Sequence, residues 1–520
     1  MSRISLILLF LVVLLVSWPL LTPGFIPTHD GEYHLIRFFE FEKGLRLGIL
    51  FLRWAEGLNN GYGVPLFNFF YPLPNYFGAF FHFLGFSLAD SFKLTLALGI
   101  FLAGIFFYLW IKKLFGQWPA VVGAIFYILA PYFLLDVYIR GSVGEVLALA
   151  FFPAVLWLAE EGSFLAGFFL ALAILSHNIL ALIFLPFLIS YLIFRKFSLL
   201  FIIYTLSLGL GLSSYFWLPA LVEAKFVRGL KMINFADHFP TFWQLILPSW
   251  GTGFSVPGIN DGISFQIGTL HLLTFVLAIF LGRKNREVLF FSFWLITAAF
   301  FLLEISLPFW KIIPLMSSFQ YPWRLLSLLI LITSFMAAWL ISFRKSNFLA
   351  LFIIFLALMF YGKYSRPTKY LPREDNFYLS NSSWTDGTAT LGNSFSTIWL
   401  PSGSLKKEKE KLLVVEGEAK IKNVFESPES YKFQVVSLGS SKLQANIAYF
   451  PGWKVYVNRE EVPIDYKNGL INFVVDKGEY LVEIAFSETP IRNLADKTSL
   501  LSLSFLIGGI IFKKVKFIMP

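Results

Sequence analysis

The chain has 520 residues, of which 57% are hydrophobic, only 14% are charged and 63 are phenylalanine. A soluble globular protein carries about a quarter charged residues, so this composition, with a mean hydropathy of +0.70, excludes an ordinary soluble enzyme and indicates a polytopic membrane protein. The absence of cysteine excludes disulfides, thiolate metal sites and a cysteine nucleophile, and the net charge of +10 reflects basic residues beside apolar runs rather than nucleic-acid binding.

Twelve apolar runs predict helices that cross a bilayer, which requires about 20 residues for each span. They cover residues 4–22, 91–112, 118–134, 145–159, 163–176, 179–194, 198–217, 268–282, 287–304, 322–342, 347–362 and 496–512. The first run resembles a signal sequence, but no small-residue cleavage site follows it. We therefore expect it to remain as an uncleaved first span.

Basic residues beside these runs predict the orientation of the chain. With Arg3 in the cytoplasm, nearly every basic doublet next to a span falls on the cytoplasmic side. These doublets are Lys112-Lys113, Arg195-Lys196, Arg283-Lys284, Arg344-Lys345 and Lys513-Lys514, the last followed by Lys516. The prediction is a multi-pass plasma-membrane protein with both termini in the cytoplasm, in which residues 64–86 do not span.

This threading divides the chain into three parts. Residues 1–362 form a transmembrane domain with a long first outer loop, 23–90, and a second outer loop, 218–267. Residues 363–495 form an extracytoplasmic linker and a small β-sandwich, and residues 496–520 form the last span and a basic cytoplasmic tail. The predicted fold class is therefore an α-helical polytopic membrane protein with a small extracytoplasmic β-sandwich.

An abrupt change of composition predicts the β-sandwich. A charge-rich stretch opens at Lys406–Lys411, and alternating segments separated by glycines follow it, which is the pattern of short strands joined by turns. The predicted strands are Leu412–Val415, Tyr431–Val436, Leu443–Tyr449, Lys454–Val457, Ile471–Val475 and Tyr480–Ile484.

The first outer loop opens with the densest polar motif, Thr28-His29-Asp30-Gly31-Glu32-Tyr33-His34. Its residue types support either a general base or a divalent cation, Mg²⁺ or Mn²⁺, held by Asp30, Glu32 and His34. A third alternative is that Asp30 only caps a helix beginning at Gly31. Capping explains neither Glu32 nor His34, so we expect Asp30 and Glu32 to be catalytic and His34 to contact substrate.

A second polar motif, Asp136-Val137-Tyr138-Ile139-Arg140, is followed by Glu145 at the outer ends of two spans. Arginine suits planar oxyanions such as phosphate, so Tyr138, Arg140 and Glu145 are candidates for substrate binding. An internal Arg140–Glu145 ion pair that joins two helix ends is the alternative, and the residues leave both open.

Two further outer motifs complete the predicted site. Ser176-His177-Asn178 lies at a turn between spans, where we expect His177 and Asn178 to line a wet cavity, unless His177 only satisfies a backbone carbonyl. In Phe319-Gln320-Tyr321-Pro322-Trp323-Arg324, Gln320 and Arg324 lie at the apolar border. Arg324 there needs an anionic partner such as lipid phosphate, unless it is an interfacial anchor. The predicted face thus combines acids, imidazoles and arginines, which suits group transfer from a lipid-linked phosphate donor.

The order and spacing of these motifs resemble those of bacterial membrane proteins related to 6-pyruvoyl-tetrahydropterin synthase, close to the YfhO-like group and within the GT-C class of lipid-dependent glycosyltransferases. The matching elements are His29–His34, Trp54, Gly61–Pro65, Tyr71-Pro72, Ala130–Tyr132, Tyr138–Arg140, Glu145, Ser176–Asn178, Tyr321–Arg324 and Phe450–Trp453. The resemblance covers most of residues 20–330. Pterin synthase chemistry itself is excluded, because it needs a zinc held by clustered histidines and the six histidines here are dispersed.

The resemblance implies a GT-C-like core of about twelve spans with a catalytic acid in the first outer loop. It implies transfer of a sugar from a polyprenyl-phosphate donor to a glycan or other envelope acceptor, with inversion. Asp30 would be the base, Glu32 its partner or a cation ligand, and Arg140 and Arg324 the ligands of the donor phosphate. A lipid-linked sugar flippase and a non-catalytic envelope scaffold are the alternatives.

Overall fold

The computed structural model describes residues 2–229, 234–401, 406–408 and 410–512. Lys409 of the predicted charge-rich stretch and the basic tail with Lys513, Lys514 and Lys516 lie outside these residues. The described chain is mostly helical and carries one β-sandwich near its C-terminal end, so the predicted combination of a helical body and a small β-sandwich is confirmed.

The helical body contains twenty α-helices before the sheets and one after them, counted over the described ranges, and short 3₁₀ or π-helical turns join some of them. In chain order they are α1 (Ser2–Ser17), α2 (Gly31–Arg46), α3 (Leu66–Phe69), α4 (Leu73–Phe83), α5 (Leu88–Phe115), α6 (Gln117–Leu129), α7 (Pro131–Leu135), α8 (Val143–Glu160), α9 (Leu165–Ser176), α10 (Asn178–Phe194), α11 (Leu199–Leu212), α12 (Ser214–Glu223), α13 (Phe242–Ile246), α14 (Thr269–Gly282), α15 (Arg286–Leu302), α16 (Leu307–Ile312), α17 (Leu326–Arg344), α18 (Asn347–Tyr361), α19 (Asp375–Leu379), α20 (Ser382–Thr385) and α21 (Pro490–Phe512).

Each of the twelve predicted apolar runs is largely helical in the structure. By length and composition, six helices of the described chain can cross a membrane, and the number rises to nine if each bent pair is one span. The bent pairs are α6 with the turn from α7 to Arg140, α11 with α12, and α15 with α16, with bends of 44°, 71° and 87°. Because α9, α10 and α14 are apolar but shorter, the count of twelve spans stays a prediction.

Helix α5 illustrates how local sequence sets the helix ends. The Ser87 side chain accepts the Asp90 N–H at the start, and Lys112 and Lys113 lie in the last turn, where they complement the helix dipole. Gly116 ends the helix with a φ of +83°, a conformation that favours glycine. The helix therefore extends a few residues beyond each end of the predicted span.

The centre of the body is formed by α8 and α17, whose apolar windows are each 94% buried, whereas α21 is only 17% buried. In the first outer loop, α4 has 11 residues, which at about 1.5 Å per residue is too short to cross a bilayer.

The β-sandwich packs a three-stranded antiparallel sheet, in the order β1-β4-β7, against a five-stranded antiparallel sheet, in the order β2-β3-β8-β5-β6. The strands are β1 (Leu412–Glu416), β2 (Ala419–Ser427), β3 (Ser430–Ser437), β4 (Ser441–Ala448), β5 (Trp453–Val457), β6 (Glu460–Val462), β7 (Leu470–Val475) and β8 (Gly478–Phe486). Strands β2 and β6 are absent from the prediction. Both are edge strands with mostly exposed residues, so they lack the apolar alternation that marks a half-buried strand.

A buried polar network holds the sandwich and α21 against the helical body. Arg53 of the first outer loop is 2% exposed and donates to Asp496 of α21 at 2.8 Å. Glu223 of α12 accepts from Asn68 at 2.8 Å and from Arg492 of α21 at 2.9 Å. Arg492 also donates to the Pro451 carbonyl of the β-sandwich at 2.8 Å, so this network of paired charges joins the β-sandwich to α21 and α12.

Glu429 makes this junction pH-dependent. Its carboxylate accepts the Arg53 backbone N–H at 3.0 Å, and burial raises the pKa of Glu429 to about 7. Between the ordinary value of 4.5 and about 7, the folded protein holds a proton that the unfolded chain releases, so stability falls as the pH rises through this window. We expect Glu429→Gln to match the wild type near pH 4.5 and to be more stable by about 1–2 kcal/mol at pH 8, after allowance for partial solvent exposure.

Thermal unfolding of the detergent-solubilised protein at both pH values measures this effect. Glu479→Gln is the matched control, since Glu479 is an exposed carboxylate on β8 of the same sandwich. A stabilisation that is the same at pH 4.5 and pH 8 would contradict the assignment.

Candidate functional site

The segment before α2 lies on the turn that precedes α8. The Asp30 N–H donates to the Arg140 carbonyl at 3.0 Å, which places the start of α2 directly beside Arg140. Gly141 has a φ of +63°, and a Cβ on either Gly141 or Gly31 would collide with Thr28 Oγ1. Glycine at both positions therefore allows the two segments to approach this closely.

Asp30 occupies the N-cap position of α2, but its carboxylate does not cap the helix. Within the described chain, this half-buried carboxylate accepts no hydrogen bond and forms no ion pair. The alternative that Asp30 serves only as a helix cap is therefore not realised.

Glu32 is the second carboxylate of this motif and lies close enough to Asp30 for their charges to interact. Burial raises the pKa of the half-buried Glu32 carboxyl, the nearby positive charge of Arg373 opposes this, and the negative charge of Asp30 adds to it. The Glu32 carboxylate accepts a hydrogen bond from its own backbone N–H, and like Asp30 it has no ion-pair partner in the described ranges. Two carboxylates without an ion-pair partner thus lie at the start of α2, and that of Asp30 has no hydrogen bond either.

His34 does not join these carboxylates. Its side chain is 1% exposed among the rings of Phe38, Phe70 and Phe92, with ring centroids 6.0 to 6.1 Å away, and its Nδ1 has no hydrogen-bond partner. No group of three or more His, Cys, Asp or Glu side chains suited to a metal ion occurs in the part of the chain that the structure describes. The expectation of a three-ligand cation site with His34 is corrected, because the first turn of α2 directs His34 into the aromatic core.

A buried charged cluster follows on the other side of the Asp30–Arg140 contact. The π-helical turn Asp136–Arg140 joins α7 to the loop before α8, a feature that often occurs at functional sites. Arg140 donates to Asp136 and, at 2.8 Å, to Glu145. Glu145 also accepts from Arg324 at 3.0 Å and from the Tyr132 hydroxyl at 2.8 Å, so it is the centre of the cluster.

These contacts include the internal Arg140–Glu145 ion pair, which was one of the two alternatives that the sequence left open. The two guanidinium charges of Arg140 and Arg324 are balanced by the two carboxylates of Asp136 and Glu145. The anionic partner that Arg324 requires is therefore Glu145 of the same chain. His177 lies at the edge of the cluster, with its Nε2 3.7 Å from Glu145 Oε1.

Gln320 holds Arg324 from the other side. Its Oε1 accepts from Arg324 Nη1 at 2.5 Å, and the Phe319 carbonyl accepts from the same nitrogen at 3.1 Å. Gln320 has a φ of +65° in a γ-turn closed by the Tyr321 N–H and the Phe319 carbonyl at 2.7 Å. Such a conformation is strained for a residue with a side chain, and strain of this kind concentrates at functional sites.

Tyr138 and His177, which were also predicted to contact substrate, each bind another part of the protein. Asn178, predicted with His177, is half-buried at the start of α10. The Tyr138 hydroxyl donates to the Val16 carbonyl of α1, so Tyr138 packs against the first helix, two residues before Arg140 and on another side of the turn. His177 Nδ1 accepts the Leu180 N–H at 3.2 Å and caps α10, so this nitrogen binds a backbone N–H rather than the backbone carbonyl of the alternative.

Tyr71 is a site residue to which the sequence analysis assigned no role. Its ring contacts His177 at a centroid distance of 4.8 Å, and a side chain on Gly144 would collide with this ring. Burial raises the pKa of the Tyr71 hydroxyl, and the charges of Arg37, Asp30, Glu145 and Arg324 also act on it. The hydroxyl therefore lies where the first outer loop meets the charged cluster. In the sequence, the signal that could have marked Tyr71 as a site residue was the Tyr71-Pro72 dipeptide, one of the motifs of the family resemblance.

Asp30 and Arg324 lie in one neighbourhood, although they are distant in sequence. Burial raises the pKa of the Tyr321 hydroxyl. The positive charges of Arg324 and Arg140 oppose this shift, and the negative charge of Asp30 adds to it. Asp30 and Arg324 thus both lie close enough to Tyr71 and to Tyr321 for their charges to act on the two hydroxyls.

Comparison with known proteins gives the family. Residues 67–365 match the family described as 6-pyruvoyl-tetrahydropterin synthase related domain, membrane protein. The chain belongs to this family. The resemblance inferred from the motifs is therefore confirmed, and so is the assignment as a membrane protein.

Individual relatives of this pterin-synthase-related membrane protein are distant. An uncharacterized protein of Lactococcus lactis subsp. cremoris is 25% identical over 268 residues, which are 46% of this chain and 43% of that protein. The crystal structure of the Archaeoglobus fulgidus oligosaccharyltransferase in the apo form gives a TM-score of 0.39 at 13% identity, over 71% of this chain and 56% of that one. Its complex with Zn and sulfate gives 0.35 at 16% identity, over 72% and 54%. The chain thus spans about half the length of each of these proteins.

Proposed function

We propose that this protein is a membrane glycosyltransferase that moves a sugar from a polyprenyl-phosphate donor to a glycan or other acceptor of the cell envelope. The observation that carries the proposal is the Asp30 carboxylate, which makes no hydrogen bond or ion pair with the described residues although the Asp30 backbone is bound to Arg140. A second carboxylate, that of Glu32, lies close enough for the two charges to interact. A half-buried acid with no structural bond to make is available to accept a proton from a substrate.

The reaction balances with these groups alone. The acceptor hydroxyl gives its proton to Asp30 as its oxygen attacks the anomeric carbon of the donor sugar. The bond between that carbon and the phosphate oxygen breaks, and its electron pair leaves with the lipid phosphate, so the configuration at the anomeric carbon is inverted. Glu32 lies within electrostatic reach of Asp30 and is the partner of the base.

The charged cluster around Glu145 has a positioning role in this proposal. Asp136, Arg140, Glu145 and Arg324 pair with one another. The cluster that they form holds the start of α2, Tyr71 and Tyr321 in fixed positions. The donor set found around Asp30 does not provide three ligands for Mg²⁺ or Mn²⁺, so no step is assigned to a metal ion.

The proposed topology follows from the basic doublets beside the spans. Both termini are cytoplasmic, and the face with Asp30 is extracytoplasmic. On that side the enzyme meets a donor carried in the outer leaflet and an acceptor of the envelope.

Covalent transfer in proteoliposomes tests the proposal. The purified protein is reconstituted with a radiolabelled polyprenyl-phosphate sugar and a glycan acceptor, and the product is identified by mass and anomeric configuration. A lipid-free glycosylated acceptor with inverted configuration is the expected result. Movement of intact donor across the bilayer without any covalent product would instead identify a flippase, and neither product nor movement would favour an envelope scaffold.

A further inference from the structure

Arg37 is a buried cation in the site that sequence analysis did not select. It lies on α2, seven residues after Asp30, and so on the same face two turns further along. Its side chain is 5% exposed, and its guanidinium lies over the Phe70 ring at 4.0 Å. Nε donates to the Ala389 carbonyl at 3.1 Å, and Nη2 donates to the same oxygen.

Arg37 differs from the other buried arginines in that no carboxylate contacts it, and the negative charge of Asp30 acts on it only from beyond ion-pair distance. Arg53, Arg140, Arg324 and Arg492 each contact at least one carboxylate within ion-pair distance. No Asp or Glu of the described ranges lies within that distance of Arg37. A buried charge without a counter-ion is costly, and a bound anion removes that cost.

The Ala389 carbonyl is held in place for this contact. Ala389 has a φ of +51°, which is strained for a residue with a Cβ. The neighbouring Thr388 N–H donates to the Asn393 side chain at 3.0 Å, and the Gly387 carbonyl accepts from the Asn59 N–H at 2.7 Å. The loop is thus bound both to itself and to the first outer loop. The Ala389 carbonyl therefore fixes the direction of the Arg37 guanidinium group.

We propose that Arg37 binds the phosphate of the lipid-linked donor. This inference rests on the proposed function and assigns the phosphate to Arg37 rather than to Arg140 or Arg324, whose charges are already balanced by Asp136 and Glu145. Seven residues of α-helix rise about 10.5 Å, a span that accommodates one sugar and its phosphate between Asp30 and Arg37. The charges of Asp30 and Arg37 both act on the Tyr71 hydroxyl, so this hydroxyl lies near both groups.

The test measures binding apart from transfer. Wild type, Arg37→Gln and Arg37→Lys in detergent are titrated with a short-chain polyprenyl phosphate, with inorganic phosphate and with phosphatidylglycerol. Arg46→Gln is the matched control, because Arg46 lies on the same helix with a side chain that is 60% exposed and pairs with Glu42. Circular dichroism and thermal unfolding report whether each variant folds. If Arg37→Gln does not fold, the phosphate affinity of Arg37→Lys relative to the wild type tests the proposal.

We expect Arg37→Gln to weaken polyprenyl phosphate binding about 10–100-fold, Arg37→Lys to lie between it and the wild type, and Arg46→Gln to bind as the wild type does. Weaker binding of inorganic phosphate that also depends on Arg37 supports a phosphate site. Wild-type affinity in a folded Arg37 variant, or no polyprenyl phosphate binding to the wild type, would overturn the proposal. Equal, Arg37-dependent binding of phosphatidylglycerol would assign the residue to bulk headgroups instead. If Arg37-dependent binding is found but no sugar is transferred, the proposed function fails and the phosphate site stands.

Discussion

Replacing Asp30 with Asn is expected to lower the rate of sugar transfer by about 10²–10⁴-fold, the usual contribution of a positioned general base. Asparagine keeps the size and shape of the side chain but cannot accept the proton of the acceptor hydroxyl. The Asp30 carboxylate makes no hydrogen bond or ion pair with the described residues, so its loss removes no structural contact. Initial rates in proteoliposomes and thermal unfolding of the same preparations measure the two effects.

The control for this prediction is Asp476→Asn, which changes an exposed aspartate of the β-sandwich. We expect both variants to unfold at the wild-type temperature and only Asp30→Asn to lose activity. An unchanged rate in Asp30→Asn would remove Asp30 from the mechanism. A lower unfolding temperature would show that the carboxylate has a structural partner after all.

Replacing Glu145 with Gln should destabilise the protein by about 3–5 kcal/mol, the range for breaking one partner out of a buried ion pair. Glu145 is 0% exposed and accepts from Arg140, Arg324 and Tyr132. Its neutralisation leaves two buried guanidinium groups with Asp136 as the remaining carboxylate of the cluster. We expect a large fall in unfolding temperature and in the yield of folded protein.

Glu161→Gln provides the matched control at the opposite end of α8. The Glu161 side chain is 42% exposed and pairs at 3.3 Å with Lys113, which is 43% exposed, so its loss should cost less than about 1 kcal/mol. The double variant Glu145→Gln with Arg324→Met restores one-to-one charge balance and should recover part of the lost stability. Similar unfolding temperatures for Glu145→Gln and Glu161→Gln would disprove the central role of Glu145.

The sequence predicted most of the helices and most of the strands, because hydropathy and period are local properties. The twelve apolar runs are largely helical, and the six predicted strands are present with small shifts at their ends. The missed strands, Ala419–Ser427 and Glu460–Val462, are exposed edges whose pairing depends on the neighbouring strand rather than on their own pattern.

The candidate site was predicted in part. Six of the predicted residues lie around one junction, namely Asp30, Glu32, Arg140, Glu145, Gln320 and Arg324, and their roles stay predictions. His34 lies in an aromatic core and Tyr138 binds the first helix, so neither side chain joins the others at this junction. Arg37 was missed as a site residue, because a single arginine in an outer loop has no spacing that marks it. Tyr71 was assigned no role, although the Tyr71-Pro72 dipeptide is one of the motifs of the family resemblance.

By itself, the amino-acid sequence determined a membrane body of apolar helices, a β-sandwich near the C-terminal end and a set of polar motifs between spans. These features follow from the free energy of placing each short segment in lipid or water, which depends on that segment alone. Only the tertiary structure decided which charges neutralise each other and which stay unpaired. Glu145 and Arg324 are 179 residues apart and meet at 3.0 Å, whereas Arg37 meets no carboxylate of the described chain, and both outcomes depend on the packing of distant helices.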